Sequence, residues 1–275
     1  MKPARFEYRR MATLDELLEE LRRHGEDARI LAGGQSLMPM LNMRLARPAV
    51  LLDINPLAAL GGWRVEKDRV VLGALLRHRA LESDPGIAAR VPLLARAAPS
   101  IAHLAVRNRG SLGGSLALAD PAAELPAVAL CLGAEITLAS SRGERRVAAM
   151  EFFQDAMVTS AASDEALVAV SFPAARPEER FSFLEVTRRH GDFALAGVAA
   201  RASGGAVTLA FFGVGPRPQL APKAAALLAA NAPAAEIKSA LAAEIEFSGD
   251  DLYPAAYRLD LAAALARRAG AELRT

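Results

Sequence analysis

The order of apolar and polar positions near the start of the chain predicts a small unit of strands and helices. RFEYRR at residues 5–10 alternates as a strand does, and the leucines between 14 and 21 form the stripe of an amphipathic helix. Thr13 heads TLDE, a capping box at the start of that helix. Short apolar strands are predicted at 29–31 and 50–52. Strands separated by helices at this spacing indicate a parallel or mixed α/β unit.

From about residue 57 the pattern changes. WRVEKDRVVLGAL is typical of a hairpin, a helix is expected after Pro85 and another from about Pro121, and AEITLAS and residues 167–173 are typical of strands. The charged segment ARPEER follows, which places a domain boundary near residue 175. We therefore expect domains at 1–175, with subdomains of about 1–56 and 57–175, and at 176–275.

The last hundred residues predict an antiparallel sheet followed by helices. FSFLEVTRR, LAGVAARAS and AVTLAFFGV indicate three strands, and Gly204-Gly205 supplies a tight turn between the last two. Alanine-rich amphipathic helices are expected at about 221–230, 233–245 and 254–269. Sheet followed by helices is an α+β order, which is the fold class we expect.

Composition excludes several classes of function. A net charge of +2 with dispersed basic residues and 5% aromatic residues gives no sign of nucleic-acid binding. No apolar segment approaches the ~20 residues of a membrane span, and no signal region follows MKPARFEYRR, so we expect a soluble, cytoplasmic protein. The one cysteine, Cys131, lies in AVALCLGA and is typical of a core residue. No metal site, iron–sulfur cluster or disulfide within the chain is expected.

Two loops with paired glycines are the most informative motifs. AGGQS at 32–36 and SLGGS at 111–115 each combine a glycine pair with serine before a predicted helix. Glycine permits positive φ and lets another molecule approach the backbone, where outward N–H groups favour an anion. One such loop is usually only a turn, but two could hold the two halves of a pyrophosphate. This points to a dinucleotide.

Other motifs leave their ordinary interpretations open. GGSLA nearly matches a nucleophile elbow around Ser115, but Ala117 stands where glycine is needed. The histidines are far apart in sequence, and only His103 and His190 lie near the unusual segments. RRHGDFALAG could be a plain loop between strands. Alternatively, Phe193 could pack against a planar ring with Asp192 nearby as an acceptor.

Three segments together resemble the FAD-binding medium subunit of the molybdenum hydroxylase family, which includes carbon monoxide and xanthine dehydrogenases. They are ARILAGGQSLMPMLNMRLARP, VRNRGSLGGSLALADPAAELPAVAL and RRHGDFALAGVA. The resemblance covers nearly the whole chain and implies a two-subdomain FAD-binding domain of the PCMH type before a smaller C-terminal domain. Relatives that carry Lys shortly after the phenylalanine of the FSF-like strand differ here, because Leu184 and Glu185 follow Phe183.

The resemblance also implies roles for particular residues, none of them catalytic. Residues 30–37 would wrap the pyrophosphate and adenine side, 111–115 would complete the phosphate grip, and Ile101, Glu124, Leu167 or Val168 and Phe193 would lie against other parts of FAD. The expected cofactor-binding residues are Ile30, Leu31, Ala32, Gly33, Gly34, Gln35, Ser36, Leu37, Ile101, Ser111, Gly113, Gly114, Ser115, Glu124, Leu167, Val168, Asp192 and Phe193.

Function follows from the resemblance as an expectation. The chain would be an electron-transfer oxidoreductase subunit that carries FAD. A large subunit with the molybdenum cofactor and a small subunit with [2Fe–2S] clusters would be its partners, in a dimer of heterotrimers (a heterohexamer). The alternatives are a self-sufficient FAD oxidoreductase using His190 or Asp192, and a serine hydrolase using Ser115. The substrate and the electron acceptor, whether quinone, NAD⁺ or oxygen, stay open.

Overall fold

A computed structural model of the chain describes residues 2–275. The strands are β1 Glu7–Arg10, β2 Ala28–Leu31, β3 Val50–Asp53, β4 Trp63–Glu66, β5 Arg69–Gly73, β6 Glu135–Ser140, β7 Gly143–Ala148, β8 Phe153–Asp155, β9 Val158–Thr159, β10 Ala166–Pro173, β11 Arg180–Thr187, β12 Ala194–Ser203, β13 Ala206–Phe212 and β14 Gln219–Leu220. The helices are α1 Leu14–His24, α2 Leu37–Asn42, α3 His78–Ser83, α4 Pro85–Arg90, α5 Pro92–Ala97, α6 Leu104–Arg107, α7 Leu112–Leu118, α8 Glu124–Leu132, α9 Ala149–Phe152, α10 Pro222–Ala229, α11 Ala234–Glu244 and α12 Ala255–Glu272.

The first three strands form a parallel sheet in the order β1-β3-β2, as the spacing of strands and helices predicted. Helix α1 begins as expected, since the Glu16 backbone N–H donates to Thr13 Oγ1 at 3.1 Å. Its apolar stripe is buried against β2 and β3. Because the three strands run in parallel, Leu31 and Asp53 end at one edge of the sheet, where the connecting loops begin.

A five-stranded antiparallel sheet follows, in the order β4-β5-β10-β6-β7, and β4 with β5 forms the predicted hairpin. The register of β10 on β6 shifts between Leu167 and Ala169, which makes Val168 a bulge. Helices α3, α4, α5, α7 and α8 share the largest core with this sheet. Every residue of α8 is buried, which explains why AVALCLGA shows no helical periodicity.

Two helices differ in extent from the sequence expectation. The helix expected after Pro85 is divided in two, because Pro92 begins α5 and Val91 before it has φ −135° and ψ 65°, outside the helical region. The helix expected from about Pro121 begins at Glu124, since Asp120 Oδ1 accepts the Ala122 N–H at 2.9 Å and forms a turn first.

The C-terminal strands form an antiparallel sheet in the order β11-β12-β13-β14, and α10 to α12 follow it, which confirms the α+β expectation. Gly204 and Gly205 both have positive φ in the tight turn between β12 and β13. The sheet is buried on both faces. One face, which includes Phe212, joins the core of α5 and α8, whereas the other, which includes Phe211, packs on the C-terminal helices.

Candidate functional site

The loop between β2 and α2 depends on glycine for its shape. β2 ends at Leu31, α2 begins at Leu37, and Gly34 lies between them with φ +72°. This is the left-handed region, where residues other than glycine are strained. The positive φ expected for the first glycine pair is therefore present at Gly34.

Gly33 is required for a different reason, because it brings the two glycine loops together. A Cβ at position 33 would lie 2.3 Å from the Arg109 carbonyl oxygen and 2.8 Å from the Gly110 Cα. Any side chain there would displace the backbone. The segment that Gly33 contacts directly precedes Ser111, so the first loop lies against the entrance to the second.

The first loop presents hydrogen-bond donors rather than acceptors. Within residues 2–275, no backbone N–H of residues 33–37 donates to a protein atom. Several of the loop's carbonyl oxygens are already used: Asn55 Nδ2 donates to Ala32 O, and Gln35 Nε2 donates to Gly33 O, both at 2.9 Å. Consecutive free N–H groups form a concave surface that favours an anion.

Two arginines lie beside this loop. Arg77 donates to the Arg109 carbonyl oxygen and, at 2.6 Å, to Asn55 Oδ1. Burial, and then the neighbouring charge of Arg109, lower the pKa of Arg77. The exposed Arg109 side chain makes no hydrogen bond or ion pair in the part of the chain that the structure describes. Its guanidinium is free to meet an anion at the same loop.

A pocket of about 540 Å³ opens at the carboxyl ends of the parallel strands. Tyr8 donates to Asp53 Oδ2 at 2.5 Å on its wall. Burial alone would raise the pKa of Asp53, but hydrogen bonds from Tyr8 and Asn55 hold it below its usual value. The lining residues are Tyr8, Leu31, Ala32, Gly33, Gly34, Gln35, Met38, Pro39, Asn42, Asp53, Asn55 and Arg109.

Sequence reasoning missed the polar wall of this pocket. Arg109 stands two residues before SLGGS, and a basic residue beside a glycine loop is a usable signal. Asp53 directly follows the strand predicted at 50–52, and side chains at the carboxyl ends of parallel strands commonly face a ligand. The part played by Tyr8 could not be read from the sequence, because it depends on its hydrogen bond to Asp53, 45 residues away.

The second loop corrects part of the sequence expectation. Its N–H groups are not free: Leu112 donates to Leu76 O at 2.9 Å, and Gly113 donates to Ala74 O at 2.8 Å. A Cβ at Gly113 would lie 2.6 Å from the Ala74 Cβ, so close packing explains this glycine. Ser111 is the N-cap of α7 and accepts the Gly114 N–H at 3.3 Å.

In the second loop, the backbone at one residue and the side chain of another stay accessible to a ligand. Gly114 is exposed, and Ser115 is half-buried. No histidine forms a hydrogen bond with the Ser115 hydroxyl among the described residues, and Ser115 lies inside α7 rather than at a sharp strand-to-helix turn. The arrangement that a serine hydrolase needs is therefore not formed here.

The two candidates on β10 differ in surroundings. Val168 is buried in the core beneath the parallel sheet, and its carbonyl oxygen accepts the Ala74 N–H at 3.0 Å. Leu167 packs on the larger core and keeps part of its surface exposed. Of the two, Leu167 is the residue that a ligand could touch.

Two carboxyl groups lie close together where the C-terminal sheet meets α8. Glu124 begins α8, and its burial, followed by the charges of Glu185 and Asp120, raises the pKa to about 8. Burial also raises the pKa of Glu185 on β11 to about 7, although the Ser100 hydroxyl opposes the shift. Ser100 directly precedes the buried Ile101, so the candidates Ile101 and Glu124 lie in one neighbourhood.

The loop between β11 and β12 lies against the turn that follows Ile101. Gly191 has φ +85°, and a Cβ there would be 2.8 Å from His103 Cε1. Asp192 forms an ion pair with Arg189 at 3.4 Å. Phe193 is 72% exposed, which is unusual for a phenylalanine at the start of a buried strand. Neither Asp192 nor Phe193 lines the pocket at the first loop.

The site residues thus fall into two groups. The loops at 32–36 and 111–115 are joined through Gly33, and the bonds to Ala74 link the second loop with β10. A separate group contains Ile101, Glu124 and the loop before β12. Across residues 2–275, no set of three or more His, Cys, Asp or Glu side chains could hold a metal ion, and no helix is long and apolar enough to cross a membrane.

Comparison with known proteins identifies both parts of the chain. Residues 4–175 match the FAD binding domain in molybdopterin dehydrogenase, and residues 181–273 match the CO dehydrogenase flavoprotein C-terminal domain. The caffeine dehydrogenase subunit beta of a Pseudomonas species is 44% identical over 200 residues, 72% of this chain and 68% of that protein. The carbon monoxide dehydrogenase medium chain of Afipia carboxidovorans is 35% identical over 278 residues, 98% of this chain and 96% of that protein.

Solved structures agree with these relationships. Carbon monoxide dehydrogenase from Hydrogenophaga pseudoflava contains a chain with 34% identity and a TM-score of 0.92, which covers 100% of this chain and 99% of that one. Quinoline 2-oxidoreductase from Pseudomonas putida 86 contains one with 36% identity and a TM-score of 0.91, covering 99% and 98%. The chain therefore belongs to the family of FAD-binding medium subunits of molybdenum hydroxylases, the flavoprotein components of oxidoreductases such as carbon monoxide dehydrogenase.

Proposed function

We propose that this chain passes electrons from the [2Fe–2S] clusters of a small partner subunit, through FAD, to an external acceptor. A large subunit with the molybdenum cofactor would oxidise the substrate. FAD supplies the ability to take up electrons from one partner and release them to another. The observation that carries the proposal is the first loop, where free N–H groups and the unpaired Arg109 offer positive potential to a diphosphate.

The residues present fit that cofactor at its phosphate end. A pyrophosphate needs several donors held in one place, and residues 33–37 offer consecutive free N–H groups beside a guanidinium. We propose that the pyrophosphate lies there, with Gly114 and Ser115 completing the contact. The role of Ser111 is to cap α7 and so hold the second loop in position.

We propose that the flavin ring lies in the second group of residues. Ile101 and Leu167 provide apolar surface, Phe193 provides an exposed ring, and Glu124 provides a carboxyl group that burial keeps protonated near neutral pH. A protonated carboxyl can donate a hydrogen bond to a polar atom of the cofactor. Asp192, paired with Arg189, would hold the loop that carries Phe193.

The three sheets support a division of the chain into domains. We propose a FAD-binding domain at 1–175, with subdomains of about 1–56 and 57–175, and a C-terminal domain at 176–275. The parallel sheet lies in the first segment, the five-stranded sheet in the second and the C-terminal sheet in the third. Limited proteolysis should cut first in 174–179, the segment between β10 and β11.

Substrate choice is proposed to lie on the large subunit. The relatives named above are components of enzymes for caffeine and carbon monoxide, and the matched structures include a quinoline 2-oxidoreductase. One flavin scaffold therefore accompanies chemically different substrates. The chain has a single cysteine and cannot hold an iron–sulfur cluster with four cysteine ligands, so the clusters in this proposal would lie on another chain.

Reconstitution tests the proposal. The purified chain should bind FAD more tightly than FMN, and dithionite should reduce the bound flavin. Adding large and small partner subunits should restore reduction by the substrate of the complex, and native mass spectrometry should give a dimer of heterotrimers. Failure to bind FAD would refute the cofactor assignment, whereas FAD binding without assembly would refute the partner assignment.

A self-sufficient FAD oxidoreductase is the second candidate. Glu124 and Glu185 favour it, because both carboxyl groups titrate near neutral pH and could exchange protons with a substrate. Multiple turnover of an organic substrate by the isolated, metal-free chain would establish this function. The electron-transfer role predicts no such turnover.

A further inference from the structure

Arg107 is a buried arginine that donates to two carbonyl oxygens of one turn and to a carboxylate on α3. Its Nη1 donates to the carbonyl oxygens of Ile101 at 3.1 Å and Ala102 at 2.9 Å. Its Nε donates to Glu82 Oε2 at 3.0 Å. Glu82 is held in turn by Arg79 at 3.0 Å, so the carboxylate on α3 fixes the guanidinium. Arg107 thus connects α3, the end of α6 and the turn at residues 101–103.

The turn that Arg107 holds has a conformation that alanine avoids. Ala102 has φ +42°, in the left-handed region where the Cβ crowds the backbone. Such a conformation persists only where surrounding contacts impose it. The two hydrogen bonds from Arg107 to the carbonyls on either side of this strained residue supply that restraint.

The same turn contacts the loop that leads to β12. A Cβ at Gly191 would lie 2.9 Å from His103 Nδ1 and 3.2 Å from the Ala102 carbonyl carbon. The His103 ring and the backbone of the turn thus lie directly against Gly191, so we expect a change in the turn to shift the loop. Phe193 follows two residues later and is held by few contacts of its own, since it is 72% exposed.

We propose that Arg107 is a positioning residue that fixes the turn at 101–103 and, through the contact of His103 with Gly191, sets the position of Phe193. The inference rests on the proposed function, which places the flavin ring near Ile101 and Phe193. Lysine cannot take this role, because one ammonium group cannot reproduce a planar guanidinium that serves a carboxylate and two carbonyls at once.

Hydrogen exchange on the full chain, with and without FAD, tests the connection. In Arg107→Lys, exchange at 101–103 and at 189–193 should become about fivefold faster, the factor that corresponds to about 1 kcal/mol of lost restraint. The circular dichroism of the bound flavin and its midpoint potential should change, although FAD remains bound. In the double variant with Ala102→Gly, hydrogen exchange and the flavin properties should both return much of the way to those of the parent, since glycine adopts φ +42° without strain.

The matched control is Arg69→Lys, because Arg69 also bridges a carbonyl and a carboxylate, those of Ser171 and Glu135, away from this turn. It should leave the exchange of both segments and the flavin signals unchanged. If Arg107→Lys does not fold, Glu82→Gln removes the anchoring charge and should give the same pattern more weakly.

The outcomes distinguish a failure of the positioning role of Arg107 from a failure of the proposed FAD-binding function. Loss of thermal stability in Arg107→Lys with unchanged exchange at 189–193 and unchanged flavin signals would make Arg107 a purely structural residue. If the parent chain bound no FAD, the proposed function would fail. The exchange experiment without FAD would still decide whether the turn and the loop are connected.

Discussion

The backbone of Gly33 lies directly against the carbonyl oxygen of Arg109, with no space for a Cβ between them. This contact joins two segments that are 76 residues apart in sequence and places the Arg109 guanidinium beside the free N–H groups of the first loop. The proposed anion site would therefore depend on this packing contact as much as on the hydrogen-bond donors themselves.

Gly33→Ala should reduce FAD affinity by tenfold or more. A Cβ 2.3 Å from the Arg109 oxygen forces the loops apart and misaligns the donors. A single lost charge-assisted hydrogen bond costs about 1.5–3 kcal/mol, which corresponds to about a tenfold to hundredfold loss. Fluorescence titration of the apoprotein with FAD measures the effect. Gly62→Ala, where a Cβ would meet no atom within 4 Å, is the matched control and should bind normally.

Arg109→Gln should weaken binding of FAD more than binding of riboflavin. The substitution removes the cation at the phosphate site but leaves the ring end intact. The loss should diminish at high salt, because screening already weakens the parent's electrostatic contact. Titrations at two ionic strengths measure this. Arg146→Gln removes an equal charge from the exposed surface of β7 and should show no ligand-specific effect. Equal losses for both ligands would contradict the phosphate assignment.

The free energy of unfolding of the FAD-free chain should depend on the protonation of Glu124. Its pKa is about 8 in the folded protein against 4.5 for the unperturbed group, so folding favours the protonated carboxyl. The contribution to stability is complete below pH 4.5 and is lost as pH rises towards 8. Glu185, with a pKa of about 7, acts in the same direction.

Glu124→Gln should remove much of this pH dependence. Between pH 4.5 and about 8, one such group changes the free energy of unfolding by up to about 1.4 kcal/mol per pH unit. Urea unfolding measures the free energy of unfolding of parent and variant between pH 5 and 8. The difference between the two at each pH removes the contributions of the other titrating groups. Glu144→Gln, an exposed change on β7, should leave the curve of the parent unchanged. Parallel curves for the parent and Glu124→Gln would show that the carboxyl is ionised in the folded chain.

Local sequence patterns predicted much of the fold, because helix capping and the periodicity of buried positions depend on residues that are close in sequence. The capping box at Thr13, the stripe of α1 and the alternation of the C-terminal strands all use neighbours in sequence. The helix α8 was predicted although it is buried on all sides and shows no amphipathic period, but its start at Glu124 was not. The division at Pro92 is visible only once Val91 is known to lie outside the helical region.

The two glycine loops could be located from the sequence, but the part that each glycine plays in the structure could not. Both glycine loops were found, yet only Gly34 has positive φ, whereas Gly33 and Gly113 serve close packing against distant backbone. The interaction of Glu124 with Glu185 also joins residues 61 positions apart, through the packing of the C-terminal sheet on α8. Contacts of this kind depend on tertiary structure, which no local spacing encodes.

Phe193→Ala should change the spectrum or the midpoint potential of the bound flavin while most FAD remains bound. Because the side chain is 72% exposed, its removal should cost the FAD-free chain little stability. Loss of one aromatic contact with the ring is worth about 1 kcal/mol, less than the total binding energy of a dinucleotide. Visible spectroscopy and a redox titration measure both effects. Leu252→Ala, at a side chain that is 76% exposed, is the control and should leave the flavin unchanged. Identical spectra and potentials for parent and Phe193→Ala would leave Phe193 as an exposed strand residue and would move the flavin ring elsewhere in the site.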